Sequence, residues 1–212
     1  LRCLVGSEMC IRDSYETIPS NSIRIFKARV ENNPSDSNFY GLALAHSNNN
    51  NYTESIKLLD KLIAKYPKNL VLNNTKVDVL NAASKYDDAL KLVNKFLEIS
   101  PRNYPLSISK SKILLQIDKK FEAEEIIRDQ LIRKNRDPEL WLLLSEIQRA
   151  GQNIVGYHQS RAEYFILLGQ NEKALNQLEF ALQLTQNNFQ VSERIMTKIV
   201  DIKEILNASR GL

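Results

Sequence analysis

Apolar residues recur along most of the chain at the spacing of one face of an α-helix. In the segment 52–62, Tyr52, Leu59 and Leu62 fall on one stripe, with the small Ser55 between them. Apolar residues spaced in this way share one helical face, which can be buried against a neighbouring helix. The pattern predicts a series of short amphipathic helices separated by turns such as the asparagine run at 48–51, because asparagine bonds to nearby backbone groups and breaks helices.

The helical pattern recurs with a fixed period along the chain. The positions that carry the repeat are Tyr52 and Tyr86, Ser55, Ala89 and Ala123, and Pro67 and Pro101. Their period of about 34 residues is the sequence signature of tetratricopeptide (TPR) arrays, in which helix–turn–helix units stack on one another. We therefore expect an all-α TPR-type solenoid of about four to five repeats with a C-terminal capping helix, whose outer side should be strongly charged.

The repeat template also predicts the organisation of the chain. A lead-in helix or half repeat is expected over 15–36, the TPR array over 37–186 and the capping helix over 187–212. In the third repeat, the template assigns Leu114, Phe121, Ala123 and Ile127 to its recurring positions. Asp137 followed by proline predicts the start of the fourth repeat, since a capping side chain precedes a proline that suits the first helical turn.

The 34-residue pattern slips after Trp141. The segment 150–153 is typical of a turn, and a long helix is expected over 154–168. Beyond a second turn, Ala174, Leu178 and Ala181 reproduce the template of a second helix. The helix at 154–168 is therefore expected to close the fourth repeat and also to open the fifth.

Composition and charge argue against a membrane span and against nucleic acid as a partner. The 212 residues are 43% hydrophobic and carry 29 basic and 25 acidic side chains, a net charge of +4 with the two signs interspersed. No apolar run is long enough to suggest a membrane span. The basic clusters at 119–120 and 133–136 lack interleaved aromatic residues, so nucleic-acid binding is not expected.

The first residues differ in character from the rest. Residues 4–14, LVGSEMCIRDS, resemble an in-frame translation of a sequencing-library adapter, and we interpret 1–14 as non-native. A genuine amphipathic leader is the alternative. Cys3 and Cys10 both lie in this segment, so no disulfide or cysteine metal site is expected in the remainder, which we interpret as a fragment of a longer protein.

A longer match covers the region around the slip. The residues that carry it are Trp141, Leu144, Ala150, Gly151, Gln152, Asn153, His158, Gln159, Arg161, Ala162, Glu163, Tyr164, Phe165, Gly169, Ala174, Gln177, Leu178, Ala181 and Leu182. Here the chain resembles the C-terminal region of secreted bacterial zinc metalloproteases with a TPR tail, the group that includes the β-barrel assembly-enhancing protease. The resemblance extends over 137–206, whereas 23–136 is only TPR-like.

The resemblance implies that this chain is a non-catalytic tail. In that family a preceding domain holds zinc through an HExxH helix, in which two imidazoles bind the metal and the glutamate acts as a base. This chain has no HExxH, and its two histidines, His46 and His158, lie in different repeats. No catalytic residue, cofactor or metal ligand is therefore expected here, and zinc would belong to the protease domain.

The resemblance further implies a periplasmic location and a protein partner. The partner would be the outer-membrane assembly machinery or an unfolded client, presented to the protease domain of the same polypeptide. A free-standing TPR scaffold with no attached enzyme is the alternative.

The template also predicts which side chains of the first helices face a concave groove. They are Tyr40, Leu44, Asn74, Asp78, Ile108, Lys112, Leu142 and Glu146. This mixture of apolar and singly charged groups suits an extended peptide or a protein edge better than a phosphate group. The Lys and Asn clamp that grips acidic chaperone tails is not expected, because Tyr40, Leu44, Thr75, Pro105 and Ser109 occupy the corresponding positions.

The histidine and aromatic side chains could either pack in the core or serve a binding function. His46 and His158 fall at ring positions of the template, where packing is favoured over a functional role. Trp141, Tyr164 and Phe165 could line a ligand pocket, but aromatic residues at helical spacing in a solenoid usually belong to the core, and we favour the core.

Overall fold

The computed structural model describes residues 19–185 and 188–210, and these residues form eleven α-helices and no strand. The helices are α1 (Pro19–Asn32), α2 (Asp36–Asn48), α3 (Tyr52–Lys65), α4 (Leu70–Ala82), α5 (Tyr86–Ile99), α6 (Tyr104–Gln116), α7 (Lys120–Arg133), α8 (Pro138–Ala150), α9 (Ile154–Leu167), α10 (Asn171–Gln183) and α11 (Phe189–Arg210). The expected all-α fold is confirmed. The adapter-like segment 1–14, with Cys3 and Cys10, lies outside the described residues.

The chain divides into two compact units within α6. Of the described residues, those up to Ser109 form the first unit, and those from Lys110 onward form the second. In the first unit, α2 packs on α1 and α3, and α4 packs on α3 and α5. In the second unit, α8 packs on α7 and α9, and α10 packs on α9 and α11.

The turn inside each repeat has the same left-handed backbone. Asn50, Ser84, Asp118 and Gln152 have φ values of 58–64° and recur with the period of the sequence repeat. The residue after each one donates its N–H to a carbonyl five positions earlier, at 2.8 or 2.9 Å. This is the Schellman arrangement that ends a helix and satisfies its last carbonyl groups. The 34-residue repeat is therefore present in the backbone as well as in the side chains.

The start of each first helix recurs with the same period. The N-cap positions are Ser35, Asn69, Asn103 and Asp137, and each side-chain oxygen accepts a backbone N–H of the first turn at 3.0 to 3.3 Å. Short polar side chains suit this position because the first N–H groups of a helix have no partner within the helix. Of these four caps, the sequence pattern predicted only Asp137.

The slip in the pattern corresponds to half a repeat. The next left-handed residue after Gln152 is Gly169, with φ 70°, only 17 positions later. Gln170 N–H donates to the Phe165 carbonyl at 2.9 Å, so α9 ends with the same turn as α2, α4, α6 and α8. The helix α9 thus begins as a second helix and ends as a first helix does, in agreement with the double role expected from the sequence.

Small residues recur at fully buried positions of the helices. Ser55, Ala89, Ala123 and Ala174 are fully buried. Gly41 is a site of close approach between two helices, because a Cβ added there would overlap the buried Phe26 ring. Helix α1 therefore packs on α2 through an aromatic ring that occupies the space left by the missing side chain.

The placement of Phe121 differs from the sequence analysis. Leu114, Ala123 and Ile127 are buried as expected, but the Phe121 side chain is 75% exposed. The helix starts keep their 34-residue spacing at Tyr52, Tyr86 and Lys120, so Lys120 occupies the tyrosine position. Phe121 is one residue further along, which turns its side chain by about 100° around the helix axis.

The last helix has a buried apolar stripe and a charged exposed side. Its inner stripe contains the buried Ile195, Ile199 and Ile202. Its exposed surface carries charged residues, as expected, but also Phe189 and Val200.

Candidate protein-binding surface

The predicted groove residues of the first unit lie on neighbouring first helices. Tyr40 and Leu44 belong to α2, Asn74 and Asp78 to α4, and Ile108 to α6. Asp78 is exposed, whereas Leu44, Asn74 and Ile108 are partly buried and Tyr40 is only 6% exposed. We call the surface formed by these five residues the first-helix face. Because Tyr40 is buried, it packs beneath this face and offers little surface to a partner.

Side-chain hydrogen bonds connect the helices of the first-helix face. The Thr75 hydroxyl donates to the Val71 carbonyl at 2.9 Å, so the Tyr40 hydroxyl, also at 2.9 Å, donates to Thr75. The Ser109 hydroxyl donates to the Asp78 carboxylate at 2.6 Å, and the Asn74 amide donates to the other oxygen of that carboxylate at 3.2 Å. These bonds join α2 to α4 and α4 to α6.

The remaining groove residues lie in the second unit. Lys112 and Glu146 are exposed on α6 and α8, and Leu142 is partly buried on α8. These three side chains are available at the surface of their own unit. Their assignment to a binding groove stays a prediction.

A separate cleft of 210 Å³ opens in the second unit. It is bordered by Arg128 of α7, Gln159 and Glu163 of α9, and Arg194 and Lys198 of α11. Lys198 forms an ion pair with Glu163, which links α9 to α11. Trp141 also lines this cleft, and its indole N–H donates to the Asn135 carbonyl at 2.8 Å. Trp141 therefore borders a cavity, although the sequence analysis favoured a core position for it.

Buried polar groups form the inner wall of the cleft. Gln148 is 2% exposed and Ser160 is 3% exposed. The Ser160 hydroxyl donates to the Gln148 side chain at 2.7 Å, and the Gln148 amide donates to Glu124 at 3.1 Å. Arg128 donates to the same Glu124 oxygen at 2.6 Å. Because every member has a partner, this network orders the wall of the cleft at little desolvation cost.

His158 contacts neighbouring side chains, and His46 is buried. The His158 Nδ1–H donates to the Gln177 amide oxygen at 2.9 Å, and the His158 ring lies 5.5 Å from the Phe180 ring. His46 is 9% exposed, and its Nδ1 has no hydrogen-bond partner among the described residues. Burial lowers the His46 pKa below its ordinary value, and the nearby Lys27 lowers it further while Glu54 opposes them.

The described residues hold no group of three or more His, Cys, Asp or Glu side chains that could bind a metal ion. Among the same residues, no helix has both the length and the apolar character needed to cross a membrane.

Sequence reasoning missed two parts of these surfaces. Thr75 and Ser109 were considered only as positions that lack a carboxylate clamp, yet their hydroxyls connect the first helices. Gln148 and Ser160 lie within the family-like string but were not among the residues that carry the resemblance. A polar residue on the inner stripe of an amphipathic helix was the available signal in both cases.

Comparisons with known proteins agree on the fold. No protein-family model and no curated protein matches the sequence. A thermophilic TPR protein from Thermus thermophilus is similar in structure, with a TM-score of 0.57 and 15% identity, over 91% of this chain and 96% of that one. A tetratricopeptide repeat protein from Parabacteroides merdae is also similar, with a TM-score of 0.56 and 12% identity. The match covers 86% of this chain and 78% of that one.

A third solved structure is MamA from Desulfovibrio magneticus. Its TM-score is 0.55 at 12% identity, and the match covers 79% of this chain and 94% of that one. Likeness at these identities bears on the fold alone. The chain described here has the all-α helix–turn–helix fold of tetratricopeptide repeat proteins.

Proposed function

We propose that this chain is a non-catalytic scaffold that binds a protein partner on its first-helix face. The observation that carries the proposal is the set of hydrogen bonds from Tyr40 to Thr75 and from Ser109 to Asp78. These bonds fix adjacent first helices relative to each other before any partner arrives. A preorganised surface loses less conformational entropy on binding, so more of the contact energy contributes to affinity.

The chemistry of the first-helix face favours an extended segment of polypeptide. Leu44 and Ile108 offer partly buried apolar contacts on different helices, and Asp78 places an exposed carboxylate between them. An extended chain can place alternate side chains on the apolar positions, while its N–H groups or a basic side chain meet the carboxylate. Several shallow contacts of this kind give modest affinity, which a second tethered module can raise.

At a finer level, we propose that the scaffold presents substrates to a periplasmic zinc metalloprotease in outer-membrane protein quality control. The family-like string of 137–184 supports this assignment, and four of the residues that carry the resemblance border the cleft of the second unit: Trp141, Gln159, Glu163 and Leu178. The coding sequence upstream of residue 15 discriminates between this proposal and a free-standing scaffold. An HExxH motif in the same reading frame supports the protease, whereas a start codon close to Ser20 rules it out.

The binding proposal can be tested with an unfolded client of defined identity. We would titrate the chain into a labelled outer-membrane β-barrel polypeptide, freshly diluted from urea, and measure fluorescence anisotropy. The double variant Leu44→Asn/Ile108→Asn should bind about tenfold more weakly, because it removes two apolar contacts. The variant Asp78→Asn removes the charge but keeps an oxygen that can accept from Ser109, so it should weaken binding by a smaller factor.

A matched control removes two equally apolar side chains elsewhere. Ile99 and Ile132 are 76% and 81% exposed on the second helices α5 and α7. The variant Ile99→Asn/Ile132→Asn should keep the parental affinity. Equal losses in the two double variants, or unchanged binding in Leu44→Asn/Ile108→Asn, would contradict the first-helix face as the binding surface.

A further inference from the structure

A second groove lies in the first unit, between the second helices α3 and α5. Its volume is 430 Å³, and α4 forms its base. Lys76 and Leu80 of α4 line this groove, whereas Asn74 and Asp78 of α4 belong to the first-helix face. Residues two positions apart on a helix point in nearly opposite directions. The groove is therefore a different surface from the one used in the proposed function.

The floor of this α3–α5 groove is apolar. Leu80 is 5% exposed, and Ile56 of α3 and Leu92 of α5 are partly buried beside it. These three side chains come from three successive helices. They form a continuous apolar strip whose remaining exposed surface would be removed from water by an apolar occupant.

The rim of the α3–α5 groove is basic. Lys85, which precedes α5, and Lys91 and Lys95 of α5 line it and are exposed, and Asp88 is the one acidic residue among the lining side chains. Lysine can lay its methylene groups along an apolar surface while the ammonium group stays in water. The α5 edge therefore presents a net positive charge above the apolar floor.

The opposite side of the groove is electrically balanced. Lys76 is paired with Asp60 of α3 at 2.6 Å, and its side chain is only 24% exposed. This ion pair neutralises the fourth lysine and fixes α3 to α4. The excess of positive charge is consequently confined to one edge of the groove.

We propose that the α3–α5 groove binds an acidic amphipathic helix of a partner protein. Two neighbouring helices with an apolar strip between them receive a third helix in the way that other helix-binding grooves do. The apolar face of the incoming helix covers the floor, and its Asp or Glu side chains meet the three lysines of the rim. Nucleic acid fits less well, because a phosphate backbone has no apolar face and the groove lining contains no arginine or aromatic side chain.

The probe for this proposal is a helical peptide of about five turns. Leucine occupies its i, i+3, i+4 and i+7 positions, and glutamate flanks the leucine stripe. A second peptide has the same leucines with lysine in place of every glutamate. Binding of each labelled peptide to the full chain is measured by fluorescence anisotropy at low and high salt. The glutamate peptide should bind, and its affinity should fall as the salt concentration rises. The lysine peptide should not bind.

Variants of the chain locate the contact. The triple reversal Lys85→Glu/Lys91→Glu/Lys95→Glu should weaken binding of the glutamate peptide at least about tenfold, because three attractions become repulsions. The variant Asp88→Lys should strengthen it. The matched control Lys68→Glu/Lys134→Glu/Lys173→Glu changes net charge by the same amount outside the groove and should leave the affinity nearly unchanged.

Three results would overturn the proposal. Equal losses in the groove and control variants would mean that the peptide responds only to net charge. Equal binding of the lysine peptide would mean that the apolar floor acts without the rim. Tighter binding of a single-stranded oligonucleotide, lost in the groove variant, would make this surface a nucleic-acid site.

Discussion

At the scale of single residues, Ser55 stands where the later repeats have alanine. It is fully buried, like Ala89 and Ala123, and its hydroxyl has no hydrogen-bond partner among the described residues. A buried hydroxyl without a partner loses its hydration and gains nothing in exchange. Ser55 thus fits the close helix contact by size but not by chemistry.

The substitution Ser55→Ala should stabilise the protein by about 1 kcal/mol, because it removes an unpaired buried hydroxyl with little change in the space filled. Urea unfolding followed by circular dichroism measures the change. The matched control is Ser111→Ala, since the fully buried Ser111 hydroxyl donates to the Ala123 carbonyl at 3.1 Å. That control should be destabilised, and destabilisation of both variants would contradict the interpretation of Ser55.

His46 should make stability depend on pH. The unfolded chain takes up a proton at the ordinary histidine pKa of 6.5, whereas burial and Lys27 lower the pKa in the folded protein. Between these two values the unfolded state binds more protons, so stability falls as the pH falls. Urea unfolding at pH 7.5 and 5.5 should show this loss, and His46→Leu should show a smaller one. A loss of the same size in the variant would assign the pH dependence to other groups.

Residue spacing predicted the buried side chains better than the polar ones. Ala123 and Ile127 follow from the 34-residue period, because helical periodicity decides which side of a helix is buried. Phe121 was misplaced because an aromatic residue one position late was taken for the repeated ring. The bond from Ser109 to Asp78 joins two helices, so it depends on interhelical distances that a one-dimensional pattern does not contain.

At the scale of helices and turns, the left-handed residues are the recurring element. Asn50, Ser84, Asp118 and Gln152 adopt positive φ, which glycine tolerates and most other residues adopt at a cost. Gly169 holds the equivalent position in the half-repeat turn, where an added Cβ would meet nothing within 4 Å. In the turns inside the repeats a non-glycine residue adopts the positive φ, whereas in the half-repeat turn a glycine adopts it.

Exchanging these residues should change stability in opposite directions. Gln152→Gly should stabilise the protein by about 0.5–1 kcal/mol by relieving the left-handed conformation, and Gly169→Gln should destabilise it by about 1 kcal/mol. Thermal unfolding of the two variants measures both effects. Shifts of the same sign would show that side-chain contacts, and not backbone conformation, control these turns.

Helix termini were only partly predictable. Asp137 was identified because proline follows it, whereas Ser35, Asn69 and Asn103 lack that signal and were missed although they cap their helices in the same way. The candidate binding residues were predicted by position along the helix. Whether they are exposed could not be predicted, since Tyr40 is buried beside the neighbouring α4.

At the scale of the whole molecule, the helices within each compact unit pack on those next to them in sequence. In such an arrangement a local defect should weaken its neighbours and leave distant helices unaffected. Gly41 offers a sharp local test, because an alanine there would overlap the Phe26 ring.

Gly41→Ala should destabilise the contact between α1 and α2 by about 1–3 kcal/mol through overpacking. Hydrogen exchange measured by mass spectrometry should show faster exchange in α1 and α2, with α10 and α11 unchanged. Gly151→Ala is the control, since its added Cβ would lie at an ordinary 3.4 Å from the nearest atom. Faster exchange throughout the chain would indicate one cooperative unit instead.

The step from Gln152 to Gly169 is 17 residues long, and it shifts every later helix by half of the 34-residue repeat. Before the step, every second helix follows a first helix. After it, α10 has a second-helix sequence although it starts only 17 residues after α9, which stands at a second-helix position. The ion pair between Glu163 and Lys198 links α9 to α11, the helices before and after α10. An alignment that extends the 34-residue period past residue 153 would place α10 at a first-helix position, although its sequence matches a second helix. Binding residues should therefore be transferred between such chains only after the half-step is counted.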